Sequence, residues 1–182
     1  MDDKALFAIS CGLYVIGCRS EEGMGGCIVD AFIQSTAFPT TVILCCQHQT
    51  RTNASIKATG QFSVSVLRED VDPLVVALFG FQSSRHARKW EHVPYVLKDG
   101  LPVLQRTAAW FMCRVLFYHE LASHTLFHCE VLDAQQGEGV PLTYGFYRAQ
   151  MKSATIAAFQ AFRKAQAPVT AGEQGAGPLA HT

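Results

Sequence analysis

Apolar positions in this chain come in short runs broken by polar corners, not in long helical stripes. Ile28 to Ile33 and Thr41 to Cys46 are two such runs, and each ends in a cluster of side-chain amides and hydroxyls. Gln34, Ser35 and Thr36 follow the first; Gln47, His48, Gln49, Thr50 and Thr52 follow the second. The second run is continuous and rich in β-branched residues, the pattern of a strand buried on both faces. Gln61 to Leu67 alternates, with Phe62, Val64 and Val66 set against Ser63 and Ser65, which predicts a half-buried strand. The run LYVIGC after Gly12 leads into SEEGMGG (residues 20–26), a strand followed by a glycine-rich hairpin turn. Ala108 to His119 and His124 to Ala134 are longer and aromatic-rich, and the short connection between them predicts an antiparallel pair.

Helical signals are local. Lys4 to Ser10 reads as a short helix with Asp2 and Asp3 at its favourable end. Asn53 to Ala58 reads as another, capped by Thr52 or Asn53 and stopped by Gly60. Asp72-Pro73 opens a helix over Leu74 to Phe79. Residues 80–85 (GFQSSR) form a loop before a charged segment from Arg85 to Glu91, and Lys98-Asp99-Gly100 marks a turn. Gln150 to Arg163 carries Ile156, Phe159 and Phe162 at helical spacing. From Ala167 onward alanine, glycine and proline dominate without an apolar period, so residues 1–165 are expected to form one domain and 166–182 a disordered tail. Six or seven mostly antiparallel strands with three or four short helices predict a mainly β fold: a closed or nearly closed antiparallel barrel with peripheral helices.

Composition narrows the function classes. The 182 residues are 49% hydrophobic and 16% charged, which suits a globular protein with some apolar surface covered by a partner subunit. Net charge is zero, so nothing favours nucleic acid or an anionic membrane. The seven cysteines are odd in number and lack the two-residue spacing of a zinc or redox motif. They read as reduced, mostly buried thiols of a cytoplasmic protein. The start MDDKALFAIS lacks the pattern of a signal peptide, and no apolar run reaches the ~18 residues of a membrane span.

Candidate chemistry is sparse. His119, His124 and His128 have no Asp, Glu or Cys at matching spacing, so a metal site is not expected. A histidine at a strand end facing a ligand and a partly buried histidine both remain open readings. There is no G-x-S-x-G elbow for a serine nucleophile. Ser83, Ser84 and Arg85, with Lys89 one turn further on, offer hydroxyls and cations for a phosphate; a capped helix with a solvated basic face is the plain alternative. Tyr144 and Tyr147, beside Arg148, either stack on a planar heterocycle or simply pack.

Six segments in order carry a resemblance: DKALFAISCGLYVI, DAFIQST before a proline corner, TRTNASI followed by FSVSVL, LFGFQSSR with Lys89-Trp90, SHTLFHCEV and LTYGFYR. Over roughly residues 3–148 the chain resembles the flavin reductase-like family of FMN-binding split barrels, nearest to flavoredoxins and to the flavin reductase half of high-molecular-weight rubredoxins. The resemblance implies an antiparallel split β-barrel that forms a homodimer, binds FMN non-covalently at the dimer interface and takes hydride from NADH or NADPH. By position, Asp30, Ala31, Phe32 and Ile33 would run beside the isoalloxazine. Gln34, Cys46, Gln47, His48 and Thr52 would serve the ribityl chain and phosphate, and Ser83, Arg85 and Lys89 would complete a phosphate clamp. His124 would lie near the flavin and nicotinamide, with Tyr147 covering the site.

Three positions depart from the family pattern: Asp30 stands in place of an asparagine, Thr40 in place of a second proline and Cys129 in place of a glycine. The implied function is an FMN-dependent NAD(P)H oxidoreductase passing electrons to free flavin or to a rubredoxin-like or diiron partner. A flavin-binding electron carrier without NAD(P)H activity and a flavin-free dimeric barrel are the alternatives.

Overall fold

Two glycines decide how the first hairpin sits. Strands β1 (Tyr14–Ser20) and β2 (Gly23–Val29) pair antiparallel with Gly17 opposite Gly26. A Cβ on Gly17 would come 2.3 Å from the Pro102 carbonyl oxygen, and one on Gly26 would meet the Ile16 carbonyl oxygen at 2.6 Å and the Phe79 ring at 2.9 Å. The glycine-rich stretch read from sequence as a turn is therefore mostly strand, with Glu21-Glu22 left to make the turn; its glycines admit close neighbours. This computed structural model describes residues 1–83 and 88–166.

Along the chain follow β3 (Phe32–Thr36), β4 (Thr41–Gln47), α1 (Arg51–Thr59), β5 (Gln61–Val66), α2 (Pro73–Phe81), β6 (Tyr95–Lys98) and β7 (Leu101–Leu104). Strands β8 (Ala109–Glu120) and β9 (His124–Gln136), the short helix α3 (Tyr144–Phe146), a π-helical turn (Tyr147–Met151) and α4 (Lys152–Gln166) complete the order. Seven strands form one sheet in the order β2-β1-β5-β8-β9-β4-β3, antiparallel throughout, while β6 and β7 make a separate hairpin. Its two end strands, β2 and β3, are consecutive in the chain and meet at the corner Asp30-Ala31. The single run read over Ile28 to Ile33 is thus two strands. Cys27 Sγ of β2 lies 4.0 Å from Cys46 Sγ of β4, so the sheet curls until its ends touch through side chains without a hydrogen-bonded ladder. The architecture is an antiparallel split β-barrel with nine described strands, more than the sequence reading counts because that corner and the β6–β7 hairpin each add to the total.

Inside the curl, Ile16, Val29, Phe32, Val42, Leu44, Phe62, Val64 and Phe127 pack with Ile56 of α1, which plugs one end. A second cluster joins Val15 and Leu67 to Val76 and Phe79 of α2 and to Trp90, Tyr147 and Met151. Strand β5 is buried on both faces, not half-buried as its alternation suggests: Ser63 and Ser65 are fully enclosed. The β6–β7 hairpin covers them. Ser63 Oγ donates to the Pro102 carbonyl at 2.5 Å, and Ser65 Oγ accepts from Leu104 N at 3.0 Å. The hairpin turns at Asp99 (φ 47°) and Gly100 (φ 80°), where glycine relieves the second left-handed position.

Helix α2 begins at the expected Asp72-Pro73, where the Asp72 carboxylate accepts from Leu74 N. Helix α1 begins earlier than expected. Thr50 is its N-cap, accepting from Asn53 N at 3.1 Å, and Gly60 ends it in the left-handed conformation. Shifting the cap releases Asn53 to the interior, where its amide donates at 2.9 Å both to the Cys46 carbonyl and to Thr125 Oγ1. Helix α4 extends to Gln166, and the tail expected beyond it falls outside the described residues. Among the described residues no helix is long and apolar enough to cross a membrane.

Asn53→Ala strips partners from two enclosed acceptors, a loss worth about 2–3 kcal/mol. Urea unfolding followed by circular dichroism should show that decrease at unchanged m-value, and a change below about 0.5 kcal/mol would mean the fork does not hold α1 to the sheet.

Candidate functional site

Where β2, β4 and the start of α1 meet, the surface opens into two adjoining compartments. The first, about 230 Å³, is bounded by Asp30, the cysteines Cys27, Cys45 and Cys46, Gln47 and His124. The second, about 210 Å³, is bounded by Gln47, Gln49, Arg51, Thr52, Ser83 and Lys89. Cys27, Ile28, Gln47 and Thr50 border both, so the two are halves of one cleft. Together they reach the ~300 Å³ at which small-molecule sites begin.

Strand register builds the first half. Gln47 is opposite His124 at the adjoining ends of β4 and β9, while Asp30 stands at the β2–β3 corner. Ser123 Oγ and His124 Nδ1 are 2.8 Å apart, which orients the imidazole. The second half is built by the 47–50 corner and the first turn of α1. Arg51, with a side chain only 19% exposed, is paired with Glu22. Sequence reasoning did not single out Arg51 or Gln82, and it named Gln49 only as a member of the polar corner. The signal available for Arg51 was a cation directly after a helix-capping threonine, a position that gathers anions.

Electrostatics divide the predicted clamp. Lys89 is 2% exposed, and its Nζ donates to the Gly26 carbonyl at 3.0 Å and the Phe79 carbonyl at 3.5 Å. Burial lowers its pKa to about 8. Lys89 therefore borders the cleft while its ammonium is spent on two backbone oxygens. Thr52 also turns inward, its hydroxyl among the thiols of Cys18 and Cys27.

The remaining candidates lie apart. Ala31 follows the corner and its carbonyl accepts from Cys45 N at 2.9 Å. Phe32 is in the core between Tyr14 and Phe111. Ile33 is exposed on the sheet, and Gln34 folds back to donate to the Thr36 carbonyl. His48 pairs with Glu120 at 2.9 Å, in a network that also takes Lys57 and Thr125. The lysine beside Glu120 holds that carboxyl below the usual range. Tyr147 is buried and stacked on Tyr144, with ring centroids 6.0 Å apart, and borders neither compartment. Arg85 lies outside the described residues. Among the described residues no cluster of His, Cys, Asp and Glu is arranged for a metal ion.

A larger cavity of about 560 Å³ lies elsewhere, lined by Val71, Leu74, Val93 and Pro94 with Arg68, Asp70 and Arg106 at its edge. Its charges already pair, Asp70 accepting from both arginines, and none of the predicted residues reaches it.

Residues 6–155 match the model of the flavin reductase like domain. The chain belongs to this family. Within and beyond it, the chain is 32% identical over 158 residues to a ferric-chelate reductase (NAD(P)H) of Archaeoglobus fulgidus, covering 85% of this chain and 94% of that protein. It is 32% identical over 160 residues to a high molecular weight rubredoxin of Moorella thermoacetica, covering 85% of this chain and 69% of the other. Among solved structures, the styrene monooxygenase flavin reductase of Pseudomonas putida S12 superposes with a TM-score of 0.68 at 28% identity, covering 78% of this chain and 90% of that one. The likeness to flavin reductases expected from the six segments is thereby established, along with the split-barrel fold.

A lysine whose pKa falls on folding makes the native state less stable while it is protonated, and that penalty lifts as pH rises from about 8 towards 10.5, where the unfolded chain binds the extra proton. Lys89→Met has no such penalty. The stability of the variant relative to wild type should fall by about 2 kcal/mol between pH 7 and pH 9.5, measured by paired urea titrations; a difference independent of pH would show that Lys89 is solvated.

Proposed function

We propose that this chain is an NAD(P)H-dependent flavin reductase that holds FMN across the two halves of the cleft. The supporting observation is their difference in chemistry. One half offers hydroxyls, amides, a guanidinium and the start of α1, a helix of nine residues whose dipole favours an anion. The other is a strand-end corner with Asp30, Gln47 and His124. A phosphate suits the first, and a planar polar ring system laid along the β2–β3 corner suits the second. The donor set therefore fits FMN.

Held there, FMN would supply the hydride and electron chemistry between NADH or NADPH and an acceptor. The chain's own residues bind and orient. Arg51 and Ser83 take the phosphate, Gln47 reaches the ribityl chain at the junction, and Asp30 with the neighbouring backbone lies along the ring. His124, held through Nδ1 by Ser123, borders the first half of the cleft, where nicotinamide would approach the ring. No side chain need move a proton in the hydride step; alignment and exclusion of water are the protein's work. The Asp30 carboxylate disfavours an anionic reduced ring beside it.

A second copy of the chain completes the site in this reading. Ile33, Ile43, His128 and Phe117 form one cross-strand row over β3, β4, β9 and β8. Ile33 and Phe117 are each 59% exposed in the single chain. An apolar band of this kind beside the cleft suits a homodimer face. The high molecular weight rubredoxin and the styrene monooxygenase flavin reductase point to a redox protein or a flavin-using oxygenase as the acceptor class.

Removing the cation at the start of α1 separates this from other ligands. Arg51→Ala should weaken FMN about tenfold or more, ~1.4 kcal/mol, and riboflavin less than about twofold, by fluorescence quenching. Anaerobic NADH or NADPH should then bleach the wild-type flavin absorption. Equal weakening of both ligands would remove the phosphate from this half of the cleft. Flavin that binds but is never bleached would make the chain an electron carrier.

A further inference from the structure

Thiols gather at the base of the cleft. Cys18 of β1, Cys27 of β2 and Cys46 of β4 are all buried there, and the Cys27 and Cys46 sulfurs are 4.0 Å apart. Both Cys27 and Cys46 border the first compartment, where β2 and β4 face each other without backbone pairing. Their surroundings differ. The S–H of Cys27, the Thr50 hydroxyl at 3.3 Å and the charge of Lys57 draw the Cys46 thiol below its ordinary range, while the same sulfur contact and burial push Cys27 up. Cys113 and Cys129 are buried too, but neither borders the cleft and burial pushes both thiols far up. A thiol with thiolate character, touching a second thiol and bordering a solvent cleft, is a reactive arrangement; a buried thiol without those features is inert.

We infer that Cys27 and Cys46 are an oxidisable pair that hydrogen peroxide converts to a disulfide joining β2 to β4. The Cys46 thiolate attacks one peroxide oxygen and the O–O bond breaks. This forms the sulfenic acid, and the departing hydroxide takes up the proton that Cys46 gave up, leaving as water. The Cys27 sulfur then attacks the Cys46 sulfur. The S–S bond forms, the S–O bond breaks, and the leaving hydroxide takes the Cys27 proton as a second water. The two sulfurs together lose two electrons and the peroxide oxygens gain them; excess thiol reverses the change. With Cys27 9% and Cys46 1% exposed, the site suits an oxidant the size of water and disfavours bulky disulfides. Reduced flavins form hydrogen peroxide with dioxygen, so the oxidant would arise beside the pair; that source rests on the FMN reading, whereas the pair itself does not. The new bond closes the split in the barrel and fixes the two walls of the cleft.

The test is a thiol map of the full chain, reduced, exposed to hydrogen peroxide and then alkylated. Trypsin leaves Cys27, Cys45 and Cys46 on one peptide, residues 20–51, and cutting before Asp30 separates Cys27 from the other two. Two of the seven thiols should escape alkylation, and the two fragments should stay joined until dithiothreitol is added. Cys45→Ser should keep this link and Cys46→Ser should lose it. Seven alkylated thiols after peroxide, a link to Cys18, sulfinic acid without a link, or a link that persists in Cys46→Ser would each overturn the assignment. Even if a variant does not fold, the wild-type map shows whether Cys27 is joined to residues 30–51, and tandem mass spectrometry that breaks the backbone between Cys45 and Cys46 assigns which of the two carries the link. The map is made with and without FMN: a link formed in protein that never binds FMN upholds the pair while sinking the flavin reading, and FMN binding without a link does the reverse.

Discussion

From the first turn of α1, Asn53 sends one amide hydrogen to the Cys46 carbonyl and the other to the Thr125 hydroxyl, tying a helix and two strands together at one enclosed point. The cleft depends on that fork. It fixes the start of α1 against the end of β4, where Gln47 and the 47–50 corner border both halves of the site. Thr125 passes the restraint on to Glu120, which also takes Lys57 and His48. The polar network therefore runs from the buried amide out to the surface, and its members support the corner without touching the cleft.

The opposite wall is held by a different means. Lys89 and Trp90 reach across to the carbonyls of Gly26 and Gly25 on β2, and Lys89 also reaches Phe79 at the end of α2. A buried ammonium is costly unless its donors are taken, and here two backbone oxygens take two of the three. That use of Lys89 explains why a residue adjacent to the cleft is structural in its main contacts, while Arg51 and Ser83 border the same compartment. The close approach of Phe79 to Gly26 completes the wall.

Between the two walls lies the split itself. Strands β2 and β4 approach through Cys27 and Cys46 and not through a ladder, so no backbone hydrogen bond joins them at this seam when the thiols are reduced. The same opening that gives the ligand access also brings these two sulfurs to the surface of the cleft. Structure and proposed chemistry thus share one cause, the failure of the sheet to close by hydrogen bonds at this seam.

Strands β1, β4 and β5, the α2 start at Asp72-Pro73, the Asp99-Gly100 turn and the antiparallel β8–β9 pair were legible in the sequence because each is set by residues near one another in the chain, whereas β3 and the β6–β7 hairpin were not read as strands. So was the family, since six short segments keep their order and spacing. Positions fixed by distant partners were not legible. Ser63 and Ser65 read as a solvent face but are enclosed, because the β6–β7 hairpin lies some forty residues away and supplies their hydrogen bonds. His48, Phe32 and Tyr147 have the chemistry of ligand contacts, yet the Glu120 carboxylate, an aromatic cluster and a ring stack engage them elsewhere. Sequence by itself determined which elements form and what class of ligand their polar corners suit. Only the tertiary structure decided which corner side chains face the cleft and which sulfurs meet, because burial, register and contact across a curled sheet depend on residues far apart along the chain.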